Sequence, residues 1–274
     1  MITASIVFYN NPVEECYSIV NNLLDNSVDY IYLIDHSPNN RLNIWSDYSD
    51  HVIYLPHKNL GYGSGHNFAL QRAAEVNPNG LHIVTNADIT IQMGVIQKLE
   101  AFMLNNPTVG CCMPRILNNE GEEQRLYKYL PSPYDLFAKR FLPPFLSKKI
   151  VDRLTMCDCD RNKTLYVPWL SGCFMFLRME AIKQTKGFDD RYFMYFEDLD
   201  LSRRISLLYD NVYYPDVSIV HKHKAASYHS ARMCLIHICS AIKYFNKYGW
   251  FFDKERVEIN NNARRKNKGG SFAT

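Results

Sequence analysis

The stretch "FDDRYFMYFEDLDLSRR", Phe188 to Arg204, sets five carboxylates among five aromatic rings and a methionine. Acids ordinarily stay in water and rings stay out of it. Glu197 and Asp198 stand directly behind the run Tyr192-Phe193-Met194-Tyr195-Phe196. Rings beside a carboxylate strip it of water, which raises its proton affinity and makes it a stronger base. The following "LDLSRRISLL" carries Leu201, Ile205 and Leu208 on one helical face. Both acids therefore fall in a first helical turn, where the positive end of the helix favours the ionised form. Acids at a helix start also serve as ordinary caps. Two readings stand: a helix start, or a base held at the edge of a pocket.

A second group of candidates gathers where strands end. "TNADIT" places Asn86 and Asp88 two residues apart, so in an extended chain both side chains face the same way and can meet one ion. Hard cations such as Mg²⁺ and Mn²⁺ take carboxylate, carbonyl and water, and share their shell with substrate phosphates. "NVYYPDVSIVHKHK" reads as a strand pair ending in His221 and His223, and His221 can add a nitrogen ligand. Taken singly, a polar strand end or a surface histidine is equally ordinary. "NLGYGSGHN" (Asn59 to Asn67) is rich in glycine but fails the Gly-x-Gly-x-x-Gly dinucleotide fingerprint. Its third position is His66, Gly65 comes one residue early, and the stretch follows a third strand instead of a first. The glycines can let a loop pass close to a phosphate or sugar before a helix that begins at Asn67, or can form a plain connection.

The elements that must position these residues alternate in type. "ASIVFY" (Ala4 to Tyr9), "YIYLIDHS" (Tyr30 to Ser37), "HVIYLP" (His51 to Pro56) and "LHIVTNADIT" (Leu81 to Thr90) read as strands. "NPVEECYSIVNNLLDN", "GHNFALQRAAEV" and "MGVIQKLEAFMLNNP" read as helices between and after them. Such alternation implies an α/β fold with a mostly parallel central sheet flanked by helices, and ligands at the carboxyl ends of its strands. "YLPSPYDLFAKRFLPPFLSKKIVDRL" (Tyr129 to Leu154) breaks the pattern as a loop, a pair of short helices or a membrane-touching surface. "VPWLSGCFMFLR" (Val167 to Arg178) returns to strand composition, with Gly172 permitting close approach. "ARMCLIHICSAIKYFNKYGWFFDKERVEI" has Met233, Ile236, Cys239 or Ser240, and Tyr244 at helical spacing, a face for the body, a homodimer partner or a bilayer.

Composition narrows the classes. With 274 residues, 47% of them hydrophobic, the chain can bury one large core with an appendage. The formal charge of +3 gives no reason to expect nucleic-acid binding. Much of the basic excess sits in "ARRKNKGG" (Ala263 to Gly270), expected as a solvated tail or a lipid-facing one. No basic-apolar-cleavage pattern opens the chain and no run reaches the length of a membrane span, so a cytoplasmic protein with reduced cysteines is expected. None of the eight cysteines forms a C-x-x-C pair.

In order and spacing, "SIVFYN", "LIDHSPNN", "NLGYGSGHNFAL", "TNADIT", "WLSGCFMFLRMEAIKQTKGFDDRYFMYFEDLDLSRR" and "YYPDVSIVHKHKAAS" resemble the family 2 glycosyltransferases. Within that family they are similar to the rhamnosyltransferase-like bacterial enzymes that build surface polysaccharides such as O-antigen. The resemblance implies a GT-A fold over residues 1–230, with a nucleotide-sugar half at about 1–110 and an acceptor half at 111–230. Residues 231–274 would form a helical extension and basic tail. It implies donor contacts at Tyr9, Asn10, Asp35, Asn59, Gly61, Gly63, Asn67, Asn86 and Asp88, with Asp35 reading the nucleotide base. It implies acceptor contacts at Trp169, Gly172 and Tyr195, with Phe188 and Phe193 to Phe196 walling the acceptor pocket. Asp198 would be the general base with Glu197 beside it, and Asp88 and His221 would hold Mg²⁺ or Mn²⁺. Asn86 departs from the first acid of the Asp-x-Asp motif, which leaves Asp88 as the main ligand. Asp200 and the arginines would occupy an exposed helix face.

The implied reaction is an inverting transfer from a nucleotide-diphosphate sugar, with dTDP-rhamnose favoured, to a glycan or lipid-linked glycan, with peripheral contact at the inner membrane face. Two other readings are a sugar nucleotidyltransferase and a non-catalytic sugar-nucleotide-binding subunit. The acidic "YNNPVEE" after the first strand argues against the former, and the joint presence of Asp88, Asp198 and His221 against the latter.

Overall fold

Runs of Val, Ile and Leu long enough for five to seven extended residues, separated by amphipathic helices, build a twisted sheet that is covered on its faces. The computed structural model describes residues 1–38, 44–45, 48–222 and 231–269. In chain order these form β1 (Ile2–Phe8), α1 (Val13–Asp25), β2 (Tyr30–Asp35), β3 (Val52–Pro56), α2 (Tyr62–Val76), β4 (Leu81–Thr85) and β5 (Ile89–Ile91). There follow α3 (Val95–Asn105), β6 (Val109–Leu117), β7 (Tyr127–Lys128), α4 (Pro133–Phe141), α5 (Pro144–Leu154), β8 (Leu165–Tyr166), β9 (Trp169–Leu170) and β10 (Phe174–Arg178). The chain continues through α6 (Met179–Thr185), α7 (Glu197–Ile205), β11 (Asp210–His221), α8 (Ala231–Tyr248) and α9 (Lys254–Gly269).

The main sheet runs β3-β2-β1-β4-β10-β6-β11-β5, with β8 also paired to β11. Strands β3, β2, β1 and β4 are parallel, as the alternation of strand and helix requires. Strand β10 is antiparallel to both β4 and β6, while β6 and β11 are again parallel, so the second half of the sheet is mixed. This geometry sets the position of the site. The carboxyl ends of β1, β2, β4 and β11 and the start of β10 all lie on one edge. Strand β1 is buried along almost its whole length, as befits a strand covered on both faces. Helix α1 turns Cys16, Ile19, Val20 and Leu23 inward at helical spacing.

Several boundaries differ from the sequence expectation, each for a physical reason. Strand β4 stops at Thr85, and the polar Asn86 to Asp88 turn leads into the separate β5, whose Ile89 pairs with His221. Helix α2 begins at Tyr62, not at Asn67, so two of the glycines are helical. Gly61 has φ +113° and its absent Cβ would stand 2.2 Å from the Phe193 carbonyl oxygen. A Cβ on Gly63 would stand 2.9 Å from that of Phe188. These glycines admit the loop before α7 against the start of α2. The expected strand pair before His221 is one strand, β11, with a register shift between Tyr214 and Ser218 where Pro215 cannot donate to the ladder. His223 lies outside the described residues.

The Tyr129 to Leu154 insertion is the pair of short helices. Ser132 and Asp135 form a reciprocal capping box on α4. The C-terminal segment is also more structured than a solvated tail. Asn260 bonds the backbone of Leu130 in both directions, at 2.9 and 3.0 Å, and Asn267 does the same to Tyr166 at 2.8 and 3.0 Å. Through Gly269 the basic residues therefore belong to a docked helix. A second apolar cluster, with Leu130, Tyr192, Phe196, Leu199, Tyr244, Phe245 and Ile259, joins α7 to α8 and α9. Among the described residues, no helix is long and apolar enough to cross a membrane.

Candidate active site

The antiparallel pairing of β10 with β4 brings the loop before β10 against the turn after β4, where the Asn86 amide donates to the Cys173 carbonyl at 2.9 Å. Tyr62, in the first turn of α2, closes this junction. Its hydroxyl lies 2.9 Å from Asn86 Oδ1 and 2.7 Å from the Gly172 carbonyl oxygen, and its one proton can serve either acceptor. On the other side of the same loop, the Gly172 amide donates to Asp198 Oδ2 at 2.9 Å. The Leu199 amide donates to Asp198 Oδ1 at 2.7 Å. Each oxygen of Asp198 is thus held by one backbone N–H and keeps a lone pair free, which orients the carboxylate without consuming it.

Burial raises the proton affinity of Asp198. The Gly172 and Leu199 amides, and more weakly Lys128 and the Trp169 ring, oppose that rise. Glu197 is also shifted upward, by burial first and by the neighbouring Asp198 second, and its Oε2 has no hydrogen-bond partner, whereas Asp198 has two backbone donors. Two adjacent carboxylates in one desolvated place do not both ionise at low cost. The arrangement favours a neutral Glu197 beside an ionised, basic Asp198.

Two of the rings serve packing within the fold, while Phe193 and Tyr195 are half-buried. Phe188 is buried in the main core, and Phe196 packs against His237 and Tyr244 of α8. Tyr195 and Phe196 both have left-handed backbones, at φ 67° and 69°, which costs a non-glycine residue about 1–2 kcal/mol. That kink ends the extended loop and starts α7 abruptly. The Tyr62 amide on the Phe193 carbonyl (2.9 Å) and the Ser240 hydroxyl on the Met194 carbonyl (2.8 Å) hold it. The expectation of an exposed Asp200 with exposed arginines is overturned. Asp200 is fully buried and Arg203 is 1% exposed, because both form ion pairs with the C-terminal helices or within α7. Leu208 lies past the end of α7 and is exposed.

At the far end of the Asn86 turn, Asp88 Oδ1 lies 3.3 Å from His221 Nε2. Two backbone pairings produce this meeting, Ile89 with His221 and the Lys222 amide with the Asp88 carbonyl at 2.9 Å. Carboxylate oxygen beside imidazole nitrogen fits Mg²⁺ or Mn²⁺, and the Asp88 side chain remains partly open at 23% exposure. No group of three or more His, Cys, Asp and Glu gathers among the described residues, so a cation there would complete its shell with phosphate and water. Asp88 and Asp198 belong to one locality. Both act on the Cys173 thiol, which burial first of all pushes up to about 12.

Asn10 and Asp35 sit at the ends of β1 and β2. Asp35 is 1% exposed and accepts from the Ser37 amide (2.8 Å) and the Tyr54 hydroxyl (2.9 Å), while the Asn10 amide donates to Ser37 Oγ. Tyr9 beside them is exposed, and Asn59 accepts from the Gly61 amide. Trp169 lies under Lys128, whose Nζ is 4.4 Å from the ring centroid. Two of the expected contact residues also serve the fold. The Asn67 amide group staples the Phe188 backbone and Asp190, and the Tyr195 ring packs at a tilt against His237. Tyr62 and Lys128 escaped the sequence reading. Their only signal there was a tyrosine between two glycines and a lysine between two tyrosines, neither of which points to chemistry.

The chain belongs to glycosyl transferase family 2, whose family model matches residues 3–185. A relative from Mycobacterium tuberculosis, N-acetylglucosaminyl-diphospho-decaprenol L-rhamnosyltransferase, is 30% identical over 177 residues, or 62% of this chain and 57% of the relative. The match thus spans little more than half of that relative's length. Rhamnosyltransferase WbbL of Escherichia coli is 36% identical over 82 residues, covering 28% of this chain and 30% of its own. The fold is the GT-A fold: GalNAc-T7 with UDP, GalNAc and Mn²⁺ superposes with a TM-score of 0.62 at 14% identity, over 99% of this chain and 55% of that one.

Proposed function

We propose that the chain is an inverting glycosyltransferase that moves rhamnose from dTDP-rhamnose to a hydroxyl of a growing bacterial surface glycan. The single observation that supports it most is the Asp198 carboxylate. It is held by two backbone amides, made more basic by burial, and set on the same sheet edge as Asp88 and His221. The rhamnosyl donor is supported by the names of the two relatives, both rhamnosyltransferases, and the lipid-linked acceptor by the diphospho-decaprenol acceptor in one of them.

In this reading Asp198 accepts the proton of the acceptor hydroxyl as that oxygen attacks the anomeric carbon from the face opposite the diphosphate. The bond to the diphosphate breaks and its electron pair leaves with the nucleotide. Glu197, neutral and buried, keeps a second negative charge away from the attacking oxygen. Tyr62 ties Asn86 to Gly172, so the donor side and the base side keep one spacing. Asp88 and His221 would hold Mg²⁺ or Mn²⁺, which when bound supplies charge neutralisation for the leaving diphosphate. Asn10 and Asp35 lie where the nucleotide would rest, in the half at 1–110, and Trp169 and Gly172 face the acceptor in the half at 111–230. One base and one displacement give inversion; retention would need a nucleophile on the other face of the sugar. NMR of the transfer product reads the anomeric configuration directly. Inversion is expected, and retention would remove the mechanism.

Peripheral membrane contact is part of the same proposal. Phe137, Phe141 and Phe145 on α4 and α5 are 54%, 63% and 79% exposed, and Lys148 and Lys149 are exposed beside them. Rings that insert and cations that meet anionic headgroups suit a bilayer surface. Flotation with phosphatidylglycerol vesicles should carry the wild type, and Phe141→Ser with Phe145→Ser should release it; equal flotation of both would refute this surface.

A further inference from the structure

Helix α7 opens with Glu197 and Asp198, and two of its next residues are ions buried as deeply as any apolar side chain. Asp200, 0% exposed, accepts from Lys247 Nζ at 2.6 Å, from Tyr248 Oη at 2.9 Å and from Arg204 Nε at 2.6 Å. Arg203 forks onto both oxygens of Asp253 at 2.6 and 2.7 Å, donates to Glu255 at 2.8 Å, and lies 3.8 Å from the centroid of the Tyr248 ring. Lys247 and Tyr248 end α8, and Asp253 accepts from the Arg256 amide at the start of α9. Lys247 also reaches Asp189 Oδ2 at 2.8 Å, at the head of the loop that delivers the strained Tyr195 and Phe196.

Buried ion pairs are a poor way to gain stability, since well-packed apolar residues do as well or better. What directional, fully partnered ions supply is one geometry. A catalytic carboxylate has to be placed to a fraction of an ångström, and a displacement of about 1 Å can cost about 10²-fold in rate. The family match ends at residue 185, before α7, so the device that seats this helix lies outside the matched segment.

We propose that the helical pair α8–α9 is a clamp on α7, in which Lys247, through Asp200, and Asp253, through Arg203, are positioning residues for Asp198. Neither touches a reacting atom. The inference rests on the reading of Asp198 as the base. Lys247→Met, Lys247→Arg and Tyr248→Phe in the full chain test it, with kcat and donor KM measured at saturating acceptor and Asp198→Asn run alongside. Lys247→Met should lose about 10²-fold in kcat with donor KM within about twofold, and Lys247→Arg should recover most of it. Tyr248→Phe, which removes one hydroxyl and leaves the ions paired, should lose kcat several-fold without change in circular dichroism, and it decides the matter if Lys247→Met fails to fold. Unchanged kcat in Tyr248→Phe and in folded Lys247→Met, with only a lowered melting temperature, overturns the clamp. Transfer that survives Asp198→Asn overturns the base instead.

Discussion

The two sides of the site are built by different means. On the donor side, Asp35, Asp88 and His221 stand at or beside strand ends and are placed by backbone pairing, while Asn10, just past β1, has a left-handed backbone held by its amide on Ser37 Oγ. Phe8 pairs with Asp35 across β1 and β2, and Ile89 with His221 across β5 and β11. On the base side, Asp198 sits on a short helix that follows two left-handed residues and is tied by Arg203 and Asp200 to residues some fifty positions later. A register shift would be needed to move the first set, and the loss of one ion pair can move the second. The donor edge should therefore tolerate changes away from its own residues, while the base should be sensitive to remote ones.

That contrast can be broken in two ways, the larger first. Asp88→Ala should lower transfer about 10²-fold and remove its response to Mn²⁺ and chelator, while leaving the melting temperature nearly unchanged, because the strand ends are seated by backbone. A large loss of stability in Asp88→Ala would erase the distinction between the two sides. The smaller effect concerns Glu197. Its folded-state pKa is raised, so the folded chain binds more protons than the unfolded one between the usual carboxylate range and the raised value. Stability then falls as pH rises through that window. Glu197→Gln should be more stable than wild type by on the order of 1–3 kcal/mol at neutral pH, and the gain should vanish below the ordinary carboxylate range. Denaturant unfolding at several pH values reads it, and the absence of any gain at neutral pH would show that Glu197 is not held neutral.

The same contrast explains what could be read in the sequence. The parallel half of the sheet was legible because each strand-helix unit carries its own periodicity, and the strand-end residues were legible with it. The carboxylate pair was legible as acids behind rings. The use of those rings was not, because Phe196 packs on Tyr244 of a helix whose own apolar positions gave no partner. Asp200 and Arg203 read as solvent-facing since charged residues are rarely buried unless paired, and their partners Lys247 and Asp253 are too distant in sequence to be matched. Tyr62 was hidden by the same limit, since its two acceptors lie 24 and 110 residues away. Strand β6, central in the sheet, lay in "VGCCMPRIL", whose small and irregular residues carry no alternation.

The most direct measurement is single-turnover transfer by Asp198→Asn beside an independent titration of nucleotide-sugar binding. Asparagine keeps the size of the side chain and can still accept from the Gly172 amide, but it cannot take a proton. Loss of transfer by about 10²- to 10⁴-fold with donor binding intact is the predicted result. Transfer within a few-fold of wild type would contradict the account at its centre.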